Sequence, residues 1–224
     1  MDRVAVKSNI LKENQDAAAQ NRRLFDQQGT LVINLMSAPG AGKTTLLEAS
    51  LRQLHDEYRA AVIEGDLQTD LDSQRIRALG VPSHQITTGT VCHLDARMVK
   101  GALAELPLEA LDLLLIENVG NLICPASYDL GEDFRVVIAS ASEGAEKPKK
   151  YPVMFNKSDV VLLNKADLAA MSGVDLSELE GNVRDVNPKA LIFRVSCRTG
   201  DGLDLWINWL RHAVASRKPP RIKA

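Results

Sequence analysis

The apolar run Leu31-Val-Ile-Asn-Leu-Met36, followed at once by Ser37-Ala-Pro-Gly40-Ala-Gly42-Lys43-Thr44-Thr45, leaves this chain few ways to fold. A buried strand must end in a tight glycine loop, and a helix must begin near Lys43. In that arrangement the backbone N–H groups of Pro39–Thr45 that are present (Gly40, Ala41, Gly42, Lys43, Thr44 and Thr45) wrap a phosphate. The Lys43 ammonium reaches the outer phosphates and the Thr44 hydroxyl faces Mg²⁺. The positive end of the helix adds to the same anion site. Ser37 stands where the first glycine of such loops is usual, while Gly40 and Gly42 keep the permissive backbone where the loop turns hardest.

The rest of the chain alternates in the same sense. Apolar runs at 31–36, 60–63, 111–116, 135–139, 160–163 and 191–195 read as buried strands, and helical patterns at 44–58, 70–79, 95–104 and 203–215 lie between several of them. This predicts an α/β fold with an open, mostly parallel sheet and helices on both faces. Residues 1–28 read as a polar helical segment stopped near Gly29, residues 29–216 as the phosphate-loop domain, and 217–224 as a basic, fraying tail. A charge of −2 gives no case for nucleic acid or an anionic membrane. No stretch approaches the roughly 20 apolar residues of a membrane span, and the N-terminus lacks a signal-peptide core, so a cytoplasmic protein is expected. The lysines at 147, 149 and 150 read as solvated surface.

A phosphate loop does not choose its base. Guanine is selected by a carboxylate that accepts from N1–H and the exocyclic amine, and Asn-Lys-x-Asp after a strand is the usual carrier. It occurs twice, at Asn156-Lys157-Ser158-Asp159 and Asn164-Lys165-Ala166-Asp167. Only the second follows a full strand-like run, which puts it at a carboxyl edge where ligands bind, so Asn164, Lys165 and Asp167 are the expected base readers. Ser196 and Cys197, after the run ending near Val195, match the last loop of such sites. Glu117-Asn-Val-Gly120 follows the run ending at Ile116 and reads as the second switch, with Glu117 toward Mg²⁺ and the Gly120 N–H toward the γ-phosphate. Among Glu64, Asp66, Asp70 and Asp72, any could face Mg²⁺, a hard cation that prefers one or two carboxylates. Asp70 is better read as a helix start.

Three cysteines are too few and scattered for a disulfide framework. Cys92, His93 and Cys124 offer two thiolates and an imidazole, a donor set for Zn²⁺ or Ni²⁺, whereas His55, His84 and His212 are scattered. Cys124 stands four residues beyond Gly120, so whatever moves the γ-phosphate sensor also moves a thiolate. The stretches Gly89-Thr-Val-Cys92-His93-Leu-Asp-Ala96 and Leu114-Leu-Ile-Glu117-Asn-Val-Gly120-Asn-Leu-Ile-Cys124-Pro125, with the phosphate loop, resemble the HypB family of hydrogenase nickel-incorporation GTPases. The resemblance runs from about residue 14 to about 210.

That resemblance implies a cytoplasmic GTPase that binds GTP/GDP with Mg²⁺, dimerises with nucleotide, and helps load nickel into [NiFe]-hydrogenase beside other maturation proteins and the hydrogenase large subunit. It makes Asp72 the first-switch acid with Asp66 close by, and Cys92, His93 and Cys124 the ligands for Ni²⁺, with Zn²⁺ able to fill the same site. Lys43, Thr44, Asp72, Glu117 and Gly120 form its expected catalytic group. Residues 1–30 contain neither Cys nor His, so nickel storage at that end is not expected. Two alternatives stay open: a urease-type nickel accessory GTPase, against which the adjacency of Cys92 and His93 counts, and a small-molecule kinase, which the guanine reader opposes.

Overall fold

A computed structural model of the chain describes residues 3–68 and 71–217. Asp70 and residues 218–224 of the expected 217–224 tail lie outside them, whereas Arg217, expected to fray with that tail, ends the last helix and pairs with Asp26 and Asp133. Seven strands form one wholly parallel sheet in the order β3-β2-β4-β1-β5-β6-β7. They are β1 (Leu31–Ser37), β2 (Ala60–Asp66), β3 (Ser83–Thr87), β4 (Leu113–Glu117), β5 (Phe134–Ser140), β6 (Val160–Asn164) and β7 (Leu191–Arg194). The principal helices are α1 (Arg3–Gln28), α2 (Lys43–Leu54), α3 (Leu71–Arg77), α4 (Ala96–Leu103), α5 (Lys147–Lys150), α6 (Pro152–Asn156), α7 (Leu176–Val186) and α8 (Leu203–Arg217).

Period-two alternation divides the core. Leu31, Ile33 and Leu35 pack with Leu46, Leu47 and Leu51 of α2 and Trp206, Ile207 and Leu210 of α8. Val32 points the other way, into a cluster with Phe25 of α1 and Val99 and Ala102 of α4. Met36 joins Val137, Val161 and Leu163 under α6 and α7. Both sheet faces are therefore covered, which is why the central strands read as continuous apolar runs. Helix α1 docks on the domain through buried amides: Asn21 donates to the carbonyls of Ala96 (2.8 Å) and Leu130 (3.0 Å), and Asn14 accepts from the Ala96 N–H at 2.8 Å.

The structure corrects several boundaries. The helix expected over 44–58 ends at Leu54, and the strand expected from Leu111 begins at Leu113, after a 3₁₀ turn over Leu108–Ala110. Strand β3 and helix α7 were not anticipated. Of the three lysines expected at the surface, Lys149 and Lys150 are exposed and Lys147 is half-buried, and each sits in an ion pair: Lys147 with Glu143, Lys149 with Asp185 and Lys150 with Glu146. Among the described residues, no helix is long and apolar enough to cross a membrane.

Candidate functional site

The order of the sheet makes β1 the switch point, with β4 on one side and β5 on the other, and ligands of such sheets bind outside the strand carboxyl ends there. A cleft of about 460 Å³ opens at that point, lined by Pro39, Gly40, Gly42–Thr45, Glu64–Leu67, Asp72, Arg75, Glu117–Gly120 and Lys165. The phosphate loop holds its shape through positive φ at Gly40 (74°) and Gly42 (100°). At Gly42 a Cβ would also come within 2.6 Å of the Asn164 side chain. Lys43, nearly buried, donates from Nζ to Ser37 Oγ at 3.1 Å and lies 3.9 Å from Glu117. Ser37 thus takes a place in the loop's hydrogen bonding that a glycine could not.

Acidic groups gather opposite the loop. Thr44 Oγ1 donates to Glu117 Oε1 at 3.0 Å, while the second oxygen of Glu117 is buried without a partner. Burial pushes the Glu117 carboxyl up to about 7, against the lowering pull of Lys43. Glu64, directly across the β2–β4 pairing, also has one orphaned oxygen, and burial followed by the charge of Glu117 raises it to about 8. Two buried carboxyls beside the Thr44 hydroxyl are oxygen donors that suit a divalent cation, and the neighbouring Lys43 ammonium suits the phosphate oxygens that would accompany it. Asp66 is half-buried and accepts from the Gln68 N–H at 2.9 Å; Asp72 pairs with Arg75 at 3.2 Å, and Arg75 with Glu48 at 2.6 Å. Both acids line the cleft. Glu64, one of the acids that the sequence offered to Mg²⁺, lines the cleft too; Arg75 was not singled out, because only the fold of α3 brings it there.

The two Asn-Lys-x-Asp copies part company. Asn164 ends β6 at the cleft edge and donates to the Ala41 carbonyl at 2.9 Å, while Lys165, in the left-handed region at φ 58°, donates to the Gly40 carbonyl at 2.7 Å. Asp167 accepts from Ser196 Oγ at 2.7 Å, and Cys197 donates to Asn164 Oδ1 at 3.3 Å. Burial drives the Cys197 thiol up to about 11, so it stays protonated. The first copy lies where β6 begins: Asn156 donates to Val186 O, Lys157 to Ala126 O, and Asp159 accepts from Arg135 N. Its polar groups are occupied in tying loops together.

Cys92, His93 and Cys124 converge: their donor atoms all lie within 4.8 Å of one another. The Cys92 thiol donates to Cys124 Sγ at 2.9 Å, and this bond, then burial, raises the Cys124 thiol. Burial holds the His93 imidazole below its ordinary value, so the ring stays neutral and able to ligate. Its Nδ1 is buried without a hydrogen-bond partner, and the ring stacks on Tyr128 with centroids 3.9 Å apart. A neutral imidazole whose buried Nδ1 has no hydrogen-bond partner, with one ring nitrogen within 4.8 Å of two sulfurs, fits a soft or borderline divalent ion. Asn118 and Asn121 tie the two cysteine-bearing segments together through the backbone, at Leu94 N (3.1 Å) and Cys92 O (3.3 Å). Sequence reasoning missed Tyr128 and both asparagines, though all three lie inside or just beyond the quoted motif. His55 and His212 are exposed and His84 half-buried on β3, away from this trio.

The sequence model described as "CobW/HypB/UreG, nucleotide-binding domain" matches residues 31–194. The hydrogenase maturation factor HypB of Escherichia coli (strain K12) is 48% identical over 205 residues, which cover 92% of this chain and 71% of that protein. Crystal structures of HypB from Archaeoglobus fulgidus (TM-score 0.86, 38% identity, 91% of this chain and 99% of that one) and of HypB from Helicobacter pylori in complex with nickel (TM-score 0.87, 38% identity, 95% and 100%) share the fold. A nucleotide-binding domain over most of the length, with HypB proteins similar along nearly all of it, means that the chain belongs to the CobW/HypB/UreG family, on its HypB side.

Proposed function

We propose that this protein is a metal-binding GTPase of [NiFe]-hydrogenase maturation, which holds nickel at Cys92, His93 and Cys124 and uses GTP hydrolysis to control its delivery. The observation that carries the reading is that Glu117, Gly120 and Cys124 share one short segment, whose first half lines the cleft and whose last residue belongs to the metal trio. The working unit is residues 29–217, with α1 docked on it; it acts in the cytoplasm.

Each residue has a physical task. The backbone from Pro39 to Thr45 and the Lys43 ammonium bind the phosphates. Asn164 and Lys165 brace the base loop against Ala41 and Gly40, and Asp167 accepts from the guanine edge while the Ser196–Cys197 segment closes over it. Thr44, Glu117, Asp66 and Asp72 would hold Mg²⁺, which when bound neutralises charge on the β- and γ-phosphates. Water attacks the γ-phosphorus, the bond to the bridging oxygen breaks, and GDP and phosphate leave. Nickel is cargo; Zn²⁺ suits the same thiolate–imidazole donors. Three ligands leave a four-coordinate metal one short, which suits either an open position or completion by a second copy, and a GTP-favoured homodimer is part of the proposal. The recipients are other maturation proteins and the hydrogenase large subunit.

The test is direct. Binding and turnover of GTP and ATP are measured, with nickel stoichiometry and mass in GDP and in a non-hydrolysable GTP analogue. GTP selectivity, slow turnover, one nickel per trio and metal affinity that depends on nucleotide are expected. Equal handling of ATP, or nickel binding that ignores nucleotide, would overturn the reading.

A further inference from the structure

Two amide side chains flank Gly120, and both reach the backbone of the other metal-ligand segment, one on each side of His93. Asn118 Oδ1 accepts from the Leu94 N–H at 3.1 Å, and Asn121 Nδ2 donates to the Cys92 carbonyl at 3.3 Å. Asn118 is 1% exposed and also accepts from the Val119 N–H at 3.0 Å. Its amide donates to Asn34 Oδ1 of β1 at 3.2 Å, and Asn34 in turn to Glu132 at 3.4 Å. The Asn118 side chain is therefore fixed to the sheet as well as to Leu94.

The neighbours are equally tight. A Cβ on Gly120 would lie 3.0 Å from Pro39 Cα, so the segment between the asparagines rests on the phosphate loop. A Cβ on Gly65 would lie 2.7 Å from Leu94 Cγ, so the residue after His93 packs on the end of β2, beside Glu64 and Asp66. The covalent tether from Gly120 to Cys124 moves only one ligand. The two amides attach the Cys92–His93 backbone to the same segment.

We propose that Asn118 and Asn121 are positioning residues that make the Cys92–His93 backbone part of the second switch, so that nucleotide state sets the placement of all three ligands rather than of Cys124 alone. This rests on reading the cleft as the GTP site and the trio as the nickel site. A rearrangement of residues 118–121 around a γ-phosphate pulls on Cys92 through its carbonyl and on His93 through the next residue's N–H. Losing these grips uncouples the two sites without removing a ligand from either.

The experiment titrates Ni²⁺, followed by its thiolate charge-transfer absorption, into the GDP and GTP-analogue forms of the full chain. Wild type is compared with Asn121→Ala, Asn121→Asp and Asn118→Ala. Asn121→Asp loses the donor to Cys92 but keeps an acceptor for the Ile123 N–H, which Oδ1 holds at 2.8 Å. Since Asn121 also hydrogen-bonds the Cys124 side chain, any effect of the new charge on nickel itself appears in both nucleotide states and cancels in their ratio, with Asn121→Ala as the uncharged control. The readout is the ratio of nickel affinities in the two nucleotide states. Ordinary allosteric coupling puts the wild-type ratio at about 5- to 150-fold, and both Asn121 variants should reduce it by at least about threefold. Asn118→Ala should bring it nearer unity, with thermal unfolding confirming a folded protein; if that variant does not fold, the half-exposed Asn121 carries the test alone. Nickel affinity that falls equally in both states, leaving the ratio unchanged, would mean the asparagines only support the loop and would overturn the inference. A wild-type ratio of one would instead remove the delivery-switch reading, and this inference with it.

Discussion

Glu64 and Glu117 stand directly opposite each other in the pairing of β2 and β4, both buried and each with one carboxylate oxygen that lacks a partner. Two like charges so placed cannot both ionise cheaply, and with no cation the pair retains a proton at neutral pH. Burial comes first among the causes that raise Glu64 to about 8 and Glu117 to about 7.

The pH dependence follows from the sign of those shifts. Below about pH 4.5, the ordinary glutamate value, folded and unfolded chains are both protonated and the pair costs nothing. As pH rises toward 8 the unfolded chain releases protons that the folded one retains, so the cation-free protein loses stability across that window. Glu64→Gln removes one of these titrations and keeps an acceptor for Ser83, which donates to Glu64 at 3.2 Å. The variant should match wild type at pH 5 and exceed it at pH 8 by about 1–3 kcal/mol, or roughly 2–4 °C per kcal/mol in a domain of this size. Thermal melts without divalent cation check this. A gap that is constant with pH would show that Glu64 is ionised throughout.

Much of this fold could be read from the residues, and the exceptions have physical causes. Strand β1, the glycine loop and α2 were legible because Gly40 and Gly42 must adopt positive φ between an apolar run and a helix. Strand β3 was not, since Ser83-His-Gln-Ile-Thr87 is a half-exposed edge and needs no apolar run. Helix α7 lies in a polar stretch, and only three of its residues are buried. The choice between the two Asn-Lys-x-Asp copies followed from what precedes each of them. The facing of Glu64 and Glu117, by contrast, depends on register between distant strands, and the stacking of Tyr128 on His93 on how a loop folds back. Neither has a local signal.

Nucleotide selectivity should rest on one of those copies. Asp167 borders the cleft-edge loop, accepts from the Ser196 hydroxyl and has Arg198 at 3.8 Å. Asp167→Asn should weaken GTP by at least about tenfold, the scale of an unpaired buried polar group, and improve binding of the xanthine nucleotide. Asp159→Asn, whose carboxylate accepts from Arg135 N at 2.8 Å, should alter stability and leave nucleotide affinity alone. Calorimetric titration of GTP, ATP and the xanthine analogue discriminates. Equal losses from the two changes would move the base site elsewhere.

Turnover should be slow and should depend on Lys43. Lys43→Ala deletes the cation between the loop and Glu117, so GTP binding or hydrolysis should fall by more than about tenfold. Among the described residues no glutamine lines the cleft to orient water, and Arg75 is held by Glu48 and Asp72. The isolated protein should therefore turn over below about 10⁻² s⁻¹, the rate reached when an arginine is supplied in cis. Phosphate release measured under saturating GTP tests it. A faster rate would mean that Arg75 leaves its partners and enters the reaction.

The metal trio should report on the nucleotide, and the nucleotide on the metal. Cys92→Ala and Cys124→Ala each remove one of three donors that lie within 4.8 Å, and each also removes the thiol pairing that raises Cys124. Neither cysteine lines the nucleotide cleft, so GTP should still bind while stoichiometric nickel at this site is lost. Linkage is reciprocal for binding free energies: whatever factor GTP applies to nickel affinity, nickel must apply to GTP affinity. The ratio of GTP-analogue to GDP affinity, measured with and without saturating Ni²⁺, should therefore differ in wild type by the same factor, on the order of 5- to 150-fold, that separates the nickel titrations of the two nucleotide forms. Both cysteine variants should show no nickel effect on nucleotide. Mass measured in parallel follows the dimer: if a second copy completes the coordination, nickel and GTP analogue together should raise the dimer fraction above either alone, and Cys124→Ala should abolish the nickel part of that rise. Two factors that disagree would reveal a further nickel site, and two factors equal to one would leave the trio as a bystander to the GTPase.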